Sequence, residues 1–139
     1  MHPDARSNLE AHIAGERARN LDALMAPLSG RPRYVVPGWV LDGHEAVREM
    51  YRRALPYLTT ELSDEYLRAL DDSRTTRWGD DHIVIEYTTD YPRHAGMVVV
   101  VHFDANGRIR SENTYFSTPV LLARHAMDTY AGVPGAIMI

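Results

Sequence analysis

One histidine and two glutamates of this sequence have the side-chain types that move protons in enzymes. His12 lies at helical spacing from Leu9 and Glu16, on the apolar stripe of a predicted helix. Glu86 and Glu112 lie in two segments that are rich in β-forming residues. Burial among aliphatic neighbours raises the pKa of a carboxyl group because it disfavours the charged form. We therefore expect His12, Glu86 and Glu112 to form an acid–base set that works near neutral pH.

Each of these side chains also has a structural interpretation. A shift of one residue in strand register would turn Glu86 and Glu112 to solvent, because successive side chains of a strand point to opposite faces. His12 could equally be a hydrogen-bonded core residue, with Glu16 one turn along the helix as its partner. The sequence leaves both interpretations open.

The sequence lacks the residues that several other reaction types require. The chain contains no Cys, and all 15 of its basic residues are Arg. A thiolate nucleophile, a disulfide framework and a lysine Schiff base are therefore excluded. The nine Gly are dispersed and form no phosphate-binding loop, and no Gly-x-Ser-x-Gly elbow occurs. The seven His show neither His-x-His nor His-Glu-x-x-His spacing, so we expect no metal site and no cofactor.

Charge and hydropathy narrow the range of partners. The net charge is -4 and the Arg residues are scattered among acids, which disfavours a nucleic-acid partner. The first residues carry no apolar stretch typical of a secretory signal. No apolar run approaches the ~20 residues that span a bilayer. We expect a cytoplasmic protein that binds a small-molecule substrate and no membrane.

The first half of the chain has helical periodicity. The pattern predicts a helix over Pro3–Arg19 and a second one capped by Asn20. A short extended run over Arg33–Val36 follows. Asp42 and Glu45 have capping-box spacing and predict the start of a third helix, which Pro56 should bend or fray.

The second half changes to strand periodicity. The residues predict three strands over 82–91, 95–103 and 108–117, the last two joined by a turn over 104–107. Glu61–Leu70 fits helix or strand. A final helix is predicted over Val120–Tyr130, with irregular chain from Gly132 onward. Helices followed by an antiparallel meander predict a single α+β domain over residues 1–139, with a curved sheet wrapped over the N-terminal helices.

Four segments resemble the nuclear transport factor 2-like superfamily, which includes ketosteroid isomerases and SnoaL-like polyketide cyclases. The segments are Asn20–Met25, Tyr34–Pro37, Gly43–Tyr51 and Phe103–Phe116, and Gly-x-x-Ala-Val-Arg-x-Met-Tyr in the third is the most specific. The resemblance implies a cone-shaped fold with a pocket between the concave face of the sheet and the helices. It supports the fold better than it supports any reaction, because none of the segments is catalytic.

Projection of the isomerase site onto this chain changes two of its three catalytic groups. By resemblance, His12 takes the place of the oxyanion-hole tyrosine, Val36 that of the aspartate base, and Val99 that of the second acid. Neither valine can move a proton, so the isomerase mechanism is not expected. Cyclases of the SnoaL type often carry an acid near the end of the last strand, where this chain has Ser117.

The family register also predicts which side chains enclose the pocket. In that register Val98, Val100 and His102 face outward, where an apolar sheet face predicts a homodimer. The expected substrate-binding walls are Tyr34, Val36, Trp39, Met50, Val84, Thr88, Met97, Val99, Val101, Thr114 and Phe116.

The resulting hypothesis is a cofactor-independent cyclase, isomerase or dehydratase that acts by proton transfer on an apolar oxygenated substrate such as a polyketide or terpenoid. A non-catalytic ligand-binding or dimerisation domain is the alternative, favoured by the loss of both isomerase carboxylates. An epoxide hydrolase is a third option. It requires an inward Asp-Arg-Asp set, and the sequence offers only the two glutamates as inward acids.

Overall fold

The computed structural model describes residues 1–61, 64–90, 95–116 and 130–139, without the side chains of 57–61, 95 and 116. Four helices are described: α1 Ala5–Arg17, α2 Leu21–Met25, α3 His44–Glu61 and α4 Asp64–Ser73. The strands are β1 Leu28–Val36, β2 Trp39–Asp42, β3 Thr75–Trp78, β4 His82–Thr89, β5 Ala95–Phe103, β6 Ile109–Phe116 and β7 Ala136–Met138. The α+β fold predicted from the sequence is confirmed.

The strands form a seven-stranded sheet in the order β3-β4-β5-β6-β1-β2-β7. Strands β1 and β6 pair in parallel, with Tyr34 opposite Glu112, and every other neighbouring pair is antiparallel. Helices α1, α3 and α4 pack on β6, β1 and β4 respectively. Among the described residues, one buried hydrophobic cluster joins helix and sheet side chains, so the site described below lies at the boundary between the two layers.

Local sequence signals explain several element boundaries. The Asn20 side chain accepts a hydrogen bond from the Ala23 amide, which confirms the predicted cap of α2. The β5–β6 turn is closed by Asp104, whose carboxylate accepts from the amides of Asn106 and Arg108. Gly107 in that turn has φ +73°, a conformation that side chains other than glycine rarely adopt.

Other expectations about the elements are wrong. Asp42 ends β2 and its carboxylate accepts from Arg31, so it is not the predicted cap of α3. Helix α3 continues through Pro56 to Glu61, so it does not fray at Pro56, whereas the bend expected there stays a prediction. The chain after Gly132 is not irregular throughout, because Ala136–Met138 pairs with β2.

Strands β2, β3 and β7 are too short for a period-2 pattern to stand out, and they were missed. The helix predicted over Val120–Tyr130 lies outside the described residues except for its last residue, which is in a turn.

The outward face of β5 has the predicted alternation. Val99 and Val101 are buried, whereas Val98, Val100 and His102 are partly exposed. The homodimer over this face stays a prediction. Among the described residues, no helix is long and apolar enough to cross a membrane.

Candidate active site

A cavity of about 140 Å³ lies between the helices and the inner face of the sheet. Most of its lining is apolar, and a small group of polar side chains from α1, α3, β1 and β6 interrupts it. The lining residues are Leu9, His12, Ile13, Glu16, Arg17, Tyr34, Val36, Met50, Tyr51, Ala54, Leu67, Leu70, Ile85, Tyr87, Met97, Val99, Val101, Glu112 and Thr114.

Most of the side chains predicted to enclose the pocket do line this cavity. The two proton-transfer candidates His12 and Glu112 come from opposite sides, one from α1 and one from β6. The predicted walls that line it are Tyr34, Val36, Met50, Met97, Val99, Val101 and Thr114. The family register is therefore correct for β1, β5 and β6.

The register expected for β4 is wrong. Ile85 and Tyr87 line the cavity, whereas Val84, Glu86 and Thr88 lie on the opposite face. Nearly half of the Glu86 side chain is exposed, and its carboxylate lies 4.0 Å from Arg77. The alternation of residues along β4 indicates the correct inward face, because Ile83, Ile85 and Tyr87 are more apolar than the alternate residues Val84, Glu86 and Thr88.

Trp39 was also placed wrongly. Its side chain is buried away from the cavity lining and packs edge-on against Tyr130, with ring centroids 5.7 Å apart. The side chain of Phe116 lies outside the described residues. The cavity also carries charged groups, because Glu16 and Arg17 join His12 and Glu112 in its lining.

A close approach between α1 and α2 positions His12. A Cβ atom added to Gly15 would lie 2.5 Å from the Leu24 backbone nitrogen, so glycine permits this contact. The Leu24 carbonyl oxygen then lies 2.7 Å from His12 Nδ1. Because a carbonyl only accepts hydrogen bonds, Nδ1 carries the hydrogen and the orientation of the imidazole is fixed.

The other ring nitrogen of His12 faces two acids and two phenols, which together with His12 we name the inner cluster. Nε2 lies 3.1 Å from the Tyr51 hydroxyl, 3.5 Å from the Tyr34 hydroxyl and 3.2 Å from Glu16 Oε1. Glu112 Oε2 lies 3.8 Å from it. Tyr51 donates its own proton to Glu16. Because the Tyr51 proton goes to Glu16, the hydrogen bond between Nε2 and the Tyr51 oxygen needs a hydrogen on Nε2, so His12 is an imidazolium in this arrangement.

Electrostatics agree with a charged His12, although only 2% of the residue is exposed. Burial by itself disfavours the imidazolium. The charge and hydrogen bond of Glu16, the charge of Glu112 and the Leu24 carbonyl outweigh that cost and raise the pKa of His12 to about 9. His12 is therefore a fixed hydrogen-bond donor at neutral pH rather than a group that exchanges its proton there.

The environment of Glu112 favours the neutral, protonated form of its carboxyl group. Only 13% of its side chain is exposed, and burial raises its pKa to about 7 despite the nearby positive charge of His12. The negative charge of Glu16 adds to the increase, whereas hydrogen bonds from Thr114 and Tyr34 oppose it. Glu112 is thus the carboxyl group of the cavity that gains or loses a proton near neutral pH.

Glu16 differs from Glu112 although both carboxylates approach the same nitrogen. Burial opposes its charge, but the His12 cation, with smaller contributions from Arg17 and Tyr51, lowers the pKa of Glu16 below its ordinary value. About a quarter of its side chain is exposed. The two acids therefore divide the roles: Glu16 stays ionised and holds the cation, and Glu112 titrates.

Sequence reasoning missed part of this site. Glu16 was recognised as a partner of His12 but not as a cavity residue, and its i+4 spacing was the available signal. The hydroxyl group of Tyr51 bridges His12 and Glu16. Arg17 was not expected in the lining. It binds Asp71 through hydrogen bonds of 2.6 to 3.0 Å.

Solved structures of known proteins share this architecture. A SnoaL-like protein of unknown function from Burkholderia thailandensis superimposes with a TM-score of 0.62 at 19% identity, covering 85% of this chain and 98% of that one. A steroid delta-isomerase from Pseudomonas aeruginosa gives a TM-score of 0.60 at 16% identity, covering 86% and 83%. No protein-family model and no curated protein sequence matches the chain.

A third similarity separates fold from function. A de novo designed protein with a curved β-sheet superimposes with a TM-score of 0.58 at 15% identity, covering 82% of this chain and 85% of that one. The same architecture therefore exists without an inherited activity, so any activity has to be argued from the side chains in the cavity.

Proposed function

Because this chain has the nuclear transport factor 2-like fold, we propose that it is a cofactor-independent enzyme that transfers protons on a small, apolar, oxygenated substrate. The observation that carries the proposal is the Glu112 carboxyl group. It lines an apolar cavity, has a pKa raised to about 7, and lies beside the buried cation of His12. A general base is most effective when its pKa is close to the working pH.

The proposed reaction starts with a substrate carbon next to a carbonyl group. Glu112 takes the proton of that carbon, and the electron pair moves onto the carbonyl oxygen. A hydrogen bond from His12 Nε2, with the positive charge of the ring, stabilises the oxygen as it becomes negative. Return of the proton to a different carbon completes an isomerisation. Attack of the enolate carbon on a second carbonyl of the same molecule would instead close a ring, and the oxygen of that carbonyl would take the proton held by Glu112.

The position of the base differs from that of the isomerases that the sequence resembles. Val36 and Val99, which correspond to their catalytic acids, line the cavity but have no proton to transfer. Glu112 lies on β6, directly opposite Tyr34 of the neighbouring β1. We propose that it replaces the missing acids from this adjacent strand.

Cavity size limits the reacting part of the substrate. An engineered apolar cavity of roughly 150 Å³ is large enough to hold benzene, and the cavity here has about the same volume. A single ring, or the reactive end of a polyketide or terpenoid, matches that space. We propose a substrate of this class.

A non-catalytic ligand-binding domain is the second candidate, and one observation favours it. Both ring nitrogens of His12 already have protein partners, Leu24 on one side and Glu16 with Tyr51 on the other. A polar cluster that is satisfied internally can stabilise a core without taking part in a reaction. The experiment has to separate the two functions.

The test uses 5-nitrobenzisoxazole, a small fused-ring compound that opens when a base removes its carbon-bound proton. The wild-type protein should accelerate the opening, and the rate should rise with pH through about 7 as Glu112 loses its proton. Glu112→Gln should reduce the rate by about 10²-fold or more, the usual loss for a general base. Glu86→Gln is the matched control because Glu86 faces away from the cavity, and its rate should equal that of wild type.

A binding measurement separates the alternatives. The phenolate form of 4-nitrophenol carries an oxyanion on a single ring and should bind near His12. If it binds while no protein-dependent ring opening occurs, the ligand-binding domain is the better account. Equal rates in wild type and Glu112→Gln would contradict the enzymatic proposal.

A further inference from the structure

A second group of histidine and carboxylate side chains lies on the outer face of the sheet. Asp81 immediately precedes β4, His82 begins it, and His102 lies directly opposite His82 on β5. One ligand atom from each of the three side chains lies within 4.8 Å of the other two. We name Asp81, His82, His102 and the adjacent Arg110 the outer cluster.

The backbone holds this group in place. The Phe103 amide donates to the Asp81 carbonyl, and the Gly79 amide donates to the His82 carbonyl. The two imidazole rings have centroids 5.5 Å apart. A Cβ atom on Gly79 would lie 2.6 Å from His82 Cε1, so the imidazole packs directly over the glycine. The three side chains are thus presented from a fixed strand pair and one tight turn.

The spacing of the ligand atoms fits a small transition-metal ion. Asp81 Oδ1 lies 3.1 Å from His82 Nδ1. Two ligands at zinc–nitrogen and zinc–oxygen distances in a tetrahedral site are about 3.3 to 3.5 Å apart. A metal ion would therefore take the place of the proton that these two atoms share. The ligand atom of His102 would have to approach the other two by no more than about 1.5 Å.

One atom of the cluster lacks the partner that its burial requires. His102 Nδ1 is buried and has no hydrogen-bond partner among the residues that the structure describes. A buried polar atom without a partner costs free energy. A metal ion bound at Nδ1 would give this atom a partner and leave the ring neutral, the form in which a buried histidine is least costly.

We propose that Asp81, His82 and His102 bind a divalent transition-metal ion, of the zinc, cobalt, nickel or copper type. Two imidazoles and one carboxylate suit these ions, whereas Mg²⁺ and Ca²⁺ prefer sites made of oxygen ligands. Three protein ligands leave one position of a tetrahedral ion open for water or an added ligand. The sequence had predicted no metal site, because a cross-strand pair of histidines leaves no short spacing to recognise.

Arg110 lets the proposal predict whether a substitution strengthens or weakens metal binding. Its guanidinium lies 3.3 Å from Asp81 Oδ2, so it competes with a metal ion for the carboxylate and repels the positive charge. Removing Arg110 should therefore tighten metal binding. A nonspecific association of metal with histidines elsewhere on the surface would show no such gain.

The site is separate from the cavity. His102 alternates along β5 with Val101, and Val101 is the one that lines the cavity. Loss of the metal site should therefore leave reactions in the cavity unchanged, and the proposal does not depend on the proposed function.

The experiment titrates the untagged protein with Zn²⁺ by calorimetry and with Co²⁺ by visible absorption. Wild type should bind one ion per chain, and Co²⁺ should show the intense absorption of tetrahedral coordination. His82→Ala and His102→Ala should each weaken binding at least tenfold, and Arg110→Ser should strengthen it. Mg²⁺ should give no heat of binding at the same concentrations.

His44→Ala provides the control, because His44 is exposed at the start of α3. It should bind Zn²⁺ as wild type does. The proposal is overturned if wild type binds no Zn²⁺, or if the affinities of His82→Ala and His44→Ala are equal. His82 has 42% of its side chain accessible, so its variant tests the site even if His102→Ala does not fold.

Discussion

The inner and outer clusters each contain a histidine at hydrogen-bond distance from a carboxylate, yet their electrostatics differ. His12 and Glu16 approach to 3.2 Å, and His82 and Asp81 to 3.1 Å. In the inner cluster the pKa of His12 rises to about 9. In the outer cluster the hydrogen bond from His82, then the charges of His102, His82 and Arg110, lower the pKa of Asp81.

The comparison shows that burial, and not the length of the hydrogen bond, determines how strongly a histidine–carboxylate pair affects stability and pKa. Water screens the exposed group, so its interactions contribute little to stability. In the cavity the same interactions are strong, and each charged group depends on its partner. A buried cluster can therefore tune the pKa of a reacting group, whereas an exposed cluster stays available to an external ion.

The largest expected effect is on stability, and it comes from removing the buried cation. His12→Ala leaves the Glu16 carboxylate and the Leu24 carbonyl without their shared partner. It should reduce the free energy of unfolding by about 3 kcal/mol or more, as measured by urea denaturation at pH 7. His82→Ala at the outer cluster should cost about 0.5 kcal/mol or less. Equal losses in the two variants would contradict the contrast between the clusters.

A second prediction follows from the raised pKa of Glu112. Its pKa is about 7 in the folded protein and near 4.5 in the unfolded chain, so the folded protein holds the proton more tightly. The stability that this proton contributes is fully present below 4.5 and is lost as the pH rises through about 7.

The measurement compares wild type with Glu112→Gln, whose amide does not titrate. The difference in the free energy of unfolding between the two proteins should shift against wild type as the pH rises from about 5 to 8. The test is urea denaturation at a series of pH values. Parallel curves over this range would show that Glu112 has an ordinary environment, and the proposed base would lose its support.

The smallest effect is expected at the outer cluster. Asp81→Asn removes the carboxylate that pairs with His82 and Arg110. Because Asp81 is exposed, water replaces both interactions, and the midpoint of urea denaturation at pH 7 should equal that of wild type within error. If Asp81→Asn lost as much stability as His12→Ala, water would not be screening the interactions of the outer cluster, and the contrast between the two clusters would be contradicted.

Local patterns predicted much of the fold. The helical spacing of His12 and Glu16, the Asn20 cap and the β5–β6 turn each depend on residues close together in sequence, and the structure has them as predicted. The outline of the cavity on β1, β5 and β6 followed from the resemblance and from alternation along each strand. The short strands β2, β3 and β7 gave too few residues for either signal.

Register and long-range pairing are what the tertiary structure alone decided. The sequence could name His12 and Glu112 as partners, but the packing of α1 on β6 and the parallel pairing of β1 with β6 set their distance and burial. Distance and burial, rather than residue type, determine which of the two acids, Glu16 or Glu112, titrates near neutral pH. Likewise His82 and His102 become neighbours only through the β4–β5 register. Sequence periodicity reports which residues share a face of an element, and the partner opposite that face is set by the packing of the whole chain.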